Sequence, residues 1–233
     1  MVPHTPQRSG RPGQAGTPLD TATRDILRAV DDYYSTRLRW FGPVHLGVDW
    51  SSQESQRLRF DVLLQAIRPT TAFSLIDYGC GYGALADYLA LRELRHCEYV
   101  GYDISDVMIE AARSRPCPLI SCRYAGRNEP LPEGDYCLAS GVFNVSLGTE
   151  PEVWFEYMTH VWDEMNRVSR LGFAFNCLSA AADVERRTDL LYYADPARVF
   201  DYCRRRYSPW VALLHDYPLP EFTVIVRKPP EGA

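Results

Sequence analysis

One heptapeptide constrains this chain more than any other stretch: Asp77-Tyr78-Gly79-Cys80-Gly81-Tyr82-Gly83, at the end of the apolar run FSLIDYG (73–79). Glycines at alternate positions let the backbone turn tightly and admit a ligand against bare main chain. A helix is expected next, over about 83–95, and its first turn offers unpaired N–H groups and a positive dipole end. Twenty residues past Gly83, Asp103 closes a second strand, EYVGYD (98–103). A carboxylate there can accept both hydroxyls of a ribose lying across the strand ends. The bland alternative is a tight strand-to-helix turn with Asp103 as a helix cap. With strand, turn and acidic residue in register, nucleoside binding is the better reading.

Strand and helix signals alternate beyond residue 72. Helix is expected at about 105–114, then strand at 119–124 and strand at 135–143. The clearest helix is 151–170, where Trp154, Tyr157, Met158, Val161, Trp162, Met165 and Val168 form one stripe, read as core packing. Strand follows at 172–178, helical material through about 206, and strands at 210–217 and 221–228. About three residues link those last two, which suits an antiparallel hairpin. This alternation predicts an α/β fold, a doubly wound and mostly parallel seven-stranded sheet with a C-terminal antiparallel hairpin strand and an N-terminal helical lid.

Residues 1–20 hold four prolines and three glycines and read as a disordered tail. Residues 21–70 read as the lid, with helices from Thr21 and over 53–68 and an aromatic loop at 41–52. Residues 71–233 read as the main domain. At roughly 150 residues per domain, 233 residues make one such unit with an elaboration. The formal charge of −5 speaks against nucleic acid or a membrane surface as partner. Seven scattered cysteines without a CxxC pair, no long apolar run and no signal-like start suggest reduced thiols, no metal site and a cytoplasmic location. A homodimer is compatible with all of this.

Gly79-x-Gly81-x-x-Ala84 also satisfies a dinucleotide fingerprint. Two features argue against that reading. Asp77, buried in an apolar strand, would repel a pyrophosphate and suits an ammonium group better. The long helical segment before the first strand and the terminal hairpin are the second feature. LIDYGCGYGAL followed by YVGYDIS resembles motif I and the acidic ribose motif of class I S-adenosylmethionine-dependent methyltransferases, over about residues 53–228.

The resemblance implies S-adenosylmethionine as donor and S-adenosylhomocysteine as product. Gly79, Gly81 and Gly83 then line the methionine part and Asp103 holds the ribose. Ile104 and Met108 flank the adenine, with Ala125 and Gly126 near its amino edge. Asp77 steers the ammonium group and Ser140 closes the pocket. The (Asp/Asn)-Pro-Pro-aromatic motif of exocyclic-amine methylases is absent at SGVFNV (140–145). The only Pro-Cys, Pro116-Cys117, precedes the third strand, unlike in cytosine C5 enzymes.

Groups above the donor are candidates for acceptor chemistry. Tyr33 or Tyr34 places a ring near the sulfonium, or simply packs on the core. His45 and Trp50 lie in the lid loop and offer acceptor contacts, and Arg59 pairs with the methionine carboxylate or with a surface acid. Asn144 and Tyr192 are candidate substrate contacts. His215, Tyr193 and His45 are candidate catalytic groups, with His215 the best-placed general base and a structural pair with Asp216 the alternative. Arg204-Arg205-Arg206 reads as a solvated helix face. The expected activity is methyl transfer to oxygen or nitrogen of a small molecule in specialised metabolism. Rivals are an RNA or protein methylase, a non-catalytic donor-binding protein and a nicotinamide-dependent oxidoreductase.

Overall fold

A computed structural model describes residues 21–68, 72–183, 185 and 187–229. The expected tail at 1–20 lies outside them. Seven strands form one sheet in the order β3-β2-β1-β4-β5-β7-β6. They are β1 (Phe73–Tyr78), β2 (Cys97–Asp103), β3 (Ser121–Gly126), β4 (Gly134–Ala139), β5 (Ser169–Leu178), β6 (Val211–Leu214) and β7 (Glu221–Arg227). β1 to β5 run parallel, and β7 is antiparallel to both β5 and β6. The link between the last two strands spans residues 215–220, because β6 stops at Leu214, earlier than expected.

Among the described residues six α-helices surround the sheet: α1 (Thr21–Phe41), α2 (Gln53–Leu64), α3 (Ala84–Leu91), α4 (Asp106–Arg113), α5 (Pro151–Val168) and α6 (Pro196–Arg206). Their starts follow local chemistry. Ser52 accepts the Ser55 N–H at 3.1 Å, and Ser105 accepts that of Met108 at 3.3 Å. Glu150 and Asp195 cap α5 and α6, each followed by proline at the first helical position.

Residues alternate between the two sheet faces. Leu75, Tyr99, Tyr136 and Leu138 pack with Phe60, Leu63, Leu85 and Leu89 from α2 and α3. Ile76, Tyr78, Phe173 and Phe175 pack with Trp154, Met158 and Trp162 of α5 and with Ile26 and Val30 of α1. The stripe on α5 is therefore core, and the Trp162 and Phe175 rings stack at 4.7 Å.

Two expectations are corrected. The described residues of the run 179–195 form no α-helix; helix begins at the Asp195-Pro196 cap. Isolated bridges tie this run to Val145 after β4 (Val145 to Leu191) and to itself (Ser179 to Ala194), and Ala194 donates its N–H to the Leu178 carbonyl of β5 at 2.8 Å. Cys117 and Cys122 form a disulfide, their Cα atoms 6.5 Å apart, so the thiols are not all reduced. The other five cysteines are buried and free. Among the described residues no helix is long and apolar enough to cross a membrane.

Candidate functional site

The strand order reverses between β1 and β4, and a cleft opens there beyond the carboxyl ends of β1, β2 and β4. The glycine turn forms its floor. Gly79 and Cys80 donate their N–H groups to the Tyr102 carbonyl at 2.8 and 3.0 Å, carrying the β1–β2 ladder past the strand. Gly79 holds φ at +74°, and a Cβ there would meet Val142 Cγ2 at 2.5 Å. No side chain fits at that point, so the turn presents bare backbone to the cleft.

Two aspartates flank the turn. Asp103 accepts the Gly81 N–H at 2.8 Å with Oδ2 and the Ser105 N–H at 2.9 Å with Oδ1. Burial pushes its carboxyl up to about 6, against the lowering effect of those bonds. Asp77 is only 3% exposed and accepts the Tyr99 hydroxyl at 2.6 Å. Burial pushes it up to about 7; the Tyr99 bond opposes this and the Asp103 charge adds to it. No described cation pairs with Asp77, so the site has room for a positive ligand group.

A chain of buried contacts closes one side. Trp50, from the lid loop, lies over the Arg59 guanidinium at 3.9 Å. Arg59 donates through Nε to Glu221 Oε2 at 2.9 Å, and Glu221 Oε1 accepts from Asn176 Nδ2 at 3.0 Å. Asn176 Oδ1 in turn accepts the Gly141 N–H at 2.8 Å, and Gly141 packs against the Trp50 ring. Beside Gly141, the buried Ser140 hydroxyl has no hydrogen-bond partner. An orphaned hydroxyl aimed at a cleft is a group kept for a ligand or for water.

α1 forms the opposite wall through Val30, Asp31 and Tyr34. It is tied down by the Ser35–Ser105 hydroxyl contact at 2.8 Å and by an Asp31–Arg127 ion pair. The loop after it is anchored by Asp49, which accepts from Tyr33 at 2.7 Å and pairs with Arg37 at 2.9 Å.

Of the residues singled out from sequence, Tyr34, Trp50, Asp77, Gly79, Gly81, Asp103, Ile104, Met108 and Ser140 all line this cleft. Ten others do not, among them Ala125, Gly126 and Tyr33, whose hydroxyl is given to Asp49. Gly83 faces Tyr124 on the far side of the turn. Arg59 is 6% exposed and engaged by Glu221, so its pairing is neither with the cleft nor with a surface acid. His45 lines an adjoining groove with Arg57, Asp87 and Arg115, which shares Gln56, Phe60 and Tyr82 with the cleft. Asn144 is spent on structure: Oδ1 accepts the Leu178 N–H at 3.2 Å, and its carbonyl accepts the Tyr192 N–H at 2.8 Å. The Tyr192 ring packs 6.5 Å from Trp154, and the Tyr193 hydroxyl accepts from the Thr188 N–H at 3.3 Å. His215 is exposed in the turn after β6, its ring 6.0 Å from Phe222.

Sequence reasoning missed Gln56, Phe60, Tyr82 and Val142, and it assigned Tyr157 to the core alone; all line the cleft. Tyr78 and Tyr82 sit within the glycine motif itself, so their place was there to be read. Gln56 carried no signal beyond its helix.

Known proteins can now be set beside this geometry. A family profile described as a methyltransferase domain matches residues 70–117, which span the glycine turn and Asp103. A Mycobacterium tuberculosis protein named as a methyltransferase is 44% identical over 165 residues, 71% of this chain and 99% of that protein. Among solved structures, the magnesium protoporphyrin IX methyltransferase of Synechocystis, with S-adenosylmethionine bound, aligns at a TM-score of 0.55 and 12% identity. It covers 90% of this chain and 99% of its own. The plantazolicin methyltransferase BpumL, in complex with S-adenosylhomocysteine, aligns at 0.52 and 10% identity, covering 89% of this chain and 99% of its own. At these identities the likeness is one of fold.

Proposed function

The chain belongs to the class I S-adenosylmethionine-dependent methyltransferases, and from that premise we propose that it methylates an oxygen or nitrogen of a small molecule, as an enzyme of specialised metabolism. The observation that carries the reading is Asp77: a buried carboxylate without a cation, across the bare glycine turn from Asp103. A donor with an ammonium group and a ribose meets both needs.

When bound, the donor supplies a sulfonium methyl open to in-line displacement. In this reading Asp77 accepts the ammonium group and the Gly79–Gly81 backbone lies along the methionine part. Asp103 takes the ribose hydroxyls, while Ile104 and Met108 flank the adenine. Ser140 gives its unspent hydroxyl to the donor. Tyr34 and Trp50 exclude water and present ring faces to positive charge. Alignment in a closed cleft supplies most of the acceleration open to such a site. Asn144 and Tyr192 act on the geometry of the turn after β4 rather than on substrate.

Isothermal titration with S-adenosylmethionine, S-adenosylhomocysteine and NAD, on wild type and Asp103→Ala, tests the reading. Both sulfur compounds are expected to bind wild type and NAD to give no heat. Asp103→Ala should lose about 2 kcal/mol, or roughly thirtyfold, from two charge-assisted hydrogen bonds. Binding of NAD alone would overturn it.

A further inference from the structure

We infer that the Cys117–Cys122 disulfide is a thiol-reducible switch on the donor site: bridged, it holds the glycine turn in its donor-binding shape, and reduced, it releases that hold. This rests on the methyltransferase reading and adds a control to it.

The first ground is where the bridge lies. It joins the segment after α4 to the start of β3, an outermost strand of the sheet. Both of its cysteines are half-buried, whereas the other five are buried. A small thiol can therefore reach this sulfur pair and not the rest.

The second ground is what the bridge holds. Two residues before Cys117, Arg115 donates from Nη1 to the Tyr82 carbonyl at 2.8 Å and pairs with Asp87 of α3 through Nη2. Its guanidinium also stands 5.2 Å from the centre of the Tyr82 ring. Two residues after Cys122, Tyr124 covers two glycines. A Cβ at Gly83 would meet its hydroxyl oxygen at 2.5 Å, and one at Gly101 would meet its ring at 2.6 Å. The Tyr124 ring stands edge-on to Tyr99 at 6.0 Å, and Tyr99 donates to Asp77. The two ends of the bridged loop thus rest on neighbouring residues of the glycine turn, Tyr82 and Gly83.

The third ground is how little else fixes the Arg115 side. Helix α4 ends at Arg113, and residues 114–120 have no regular structure. Their backbone is tied by Ser114 to Glu110 at 3.0 Å, by Arg115 to Ala112 at 3.3 Å and by Ile120 to Arg95 at 3.4 Å. A disulfide limits the conformations that such a segment can reach when it opens. With the bridge cut, ordering Arg115 against Tyr82 costs entropy that the bridge had removed.

The switching step balances with a dithiol as reductant. One of its thiolates attacks a bridge sulfur; the S–S bond breaks and a mixed disulfide forms. Its second thiolate then displaces the remaining cysteine. Cys117 and Cys122 gain two electrons and the two protons that the reductant gave up, and the reductant leaves as its own disulfide. Coupling between two sites is reciprocal, so bound donor must resist reduction by the same factor by which the bridge tightens the donor.

The test titrates S-adenosylhomocysteine into the full chain, oxidised and after reduction with dithiothreitol. The oxidised protein is expected to show two fewer free thiols than the reduced one and to bind at least about fivefold more tightly. The double variant Cys117→Ser, Cys122→Ser should bind like reduced wild type with or without dithiothreitol. Arg115→Met should weaken binding in the oxidised state and shrink the response to reduction. In glutathione buffers, adding S-adenosylhomocysteine should shift the thiol–disulfide equilibrium of wild type by the same factor, which a merely structural bridge would not show. Equal affinity in the two states, thiol counts that do not differ, or a redox response that survives in the double variant would each overturn the inference. Failure of S-adenosylhomocysteine to bind in either state would instead remove the methyltransferase reading, and this inference with it.

Discussion

Trp50 and Gly141 meet ring against backbone: a Cβ at position 141 would lie 2.4 Å from Cζ2 of the indole, and Gly141 holds φ at +76°. The lid loop is thus keyed into the turn that ends β4, at a position where only glycine fits without strain.

Gly141→Ala should therefore be costly twice over, through the backbone and through the ring. Strain of about 1–3 kcal/mol corresponds to a melting point lower by roughly 3–10 °C for a chain of this length. Adding Trp50→Ala should recover the steric part alone. Calorimetry on both single variants and the double checks this, and strict additivity would show that the contact carries no energy.

Glu221→Gln leaves Arg59 buried opposite a neutral group. Breaking a buried ion pair from one side costs about 3–5 kcal/mol. Arg59→Met combined with Glu221→Gln should cost less than the sum of the single changes, by at least about 1 kcal/mol. Urea denaturation of the four proteins measures the coupling, and none at all would mean that the pair is incidental to stability.

Ser140 separates folding from binding. Removing an unpartnered buried hydroxyl should leave the donor-free protein as stable as wild type or slightly more so. The same Ser140→Ala change should weaken S-adenosylmethionine about fivefold, the worth of one neutral hydrogen bond. Unchanged affinity would release Ser140 from the donor site.

Asp77 makes stability depend on pH in a stated direction. Its folded value, near 7, lies above its ordinary value of 3.8. Between those values the native state holds a proton that the unfolded chain has lost. The stability this confers is complete below about pH 4 and is lost as pH rises through about 7. Asp103, pushed up to about 6, acts in the same sense. Asp77→Asn escapes its share of the loss, so its stability relative to wild type should climb from pH 4.5 to pH 8. Urea midpoints at the two ends test this, and a constant difference would refute it. Donor binding near pH 6.5 should also release protons in wild type and fewer in Asp77→Asn, where only Asp103 still holds a share to give up, read by titration in two buffers of different ionisation enthalpy.

The parts of the molecule legible in the sequence are those set by local pattern. β1, the glycine turn and Asp103 lie within about thirty residues, and each reports its own backbone need. α5 was equally plain, because seven large apolar residues repeat at helical spacing. What stayed hidden depends on distant pairing. Arg59 finds Glu221 across 162 positions, and nothing near either residue names the other. The apolar run 210–217 suggests a strand long enough to carry His215 to its end, but β6 ends at Leu214 and leaves His215 on the link that follows. Tyr157 belonged to a stripe that packs the core, and its closeness to the cleft depends on how far α5 extends past the ends of the strands.

The chain of contacts from Trp50 through Arg59, Glu221 and Asn176 to Gly141 also has a consequence in time. A polypeptide is made from its amino end, and early segments begin to fold while later ones are still being synthesised. The glycine turn and both of its aspartates exist by residue 103, but the carboxylate that engages Arg59 arrives with the final strand. An unfinished chain on the ribosome carries the donor motif without the clasp that shuts it. Completion of β7 thus marks the point at which the newly made protein can first close its site.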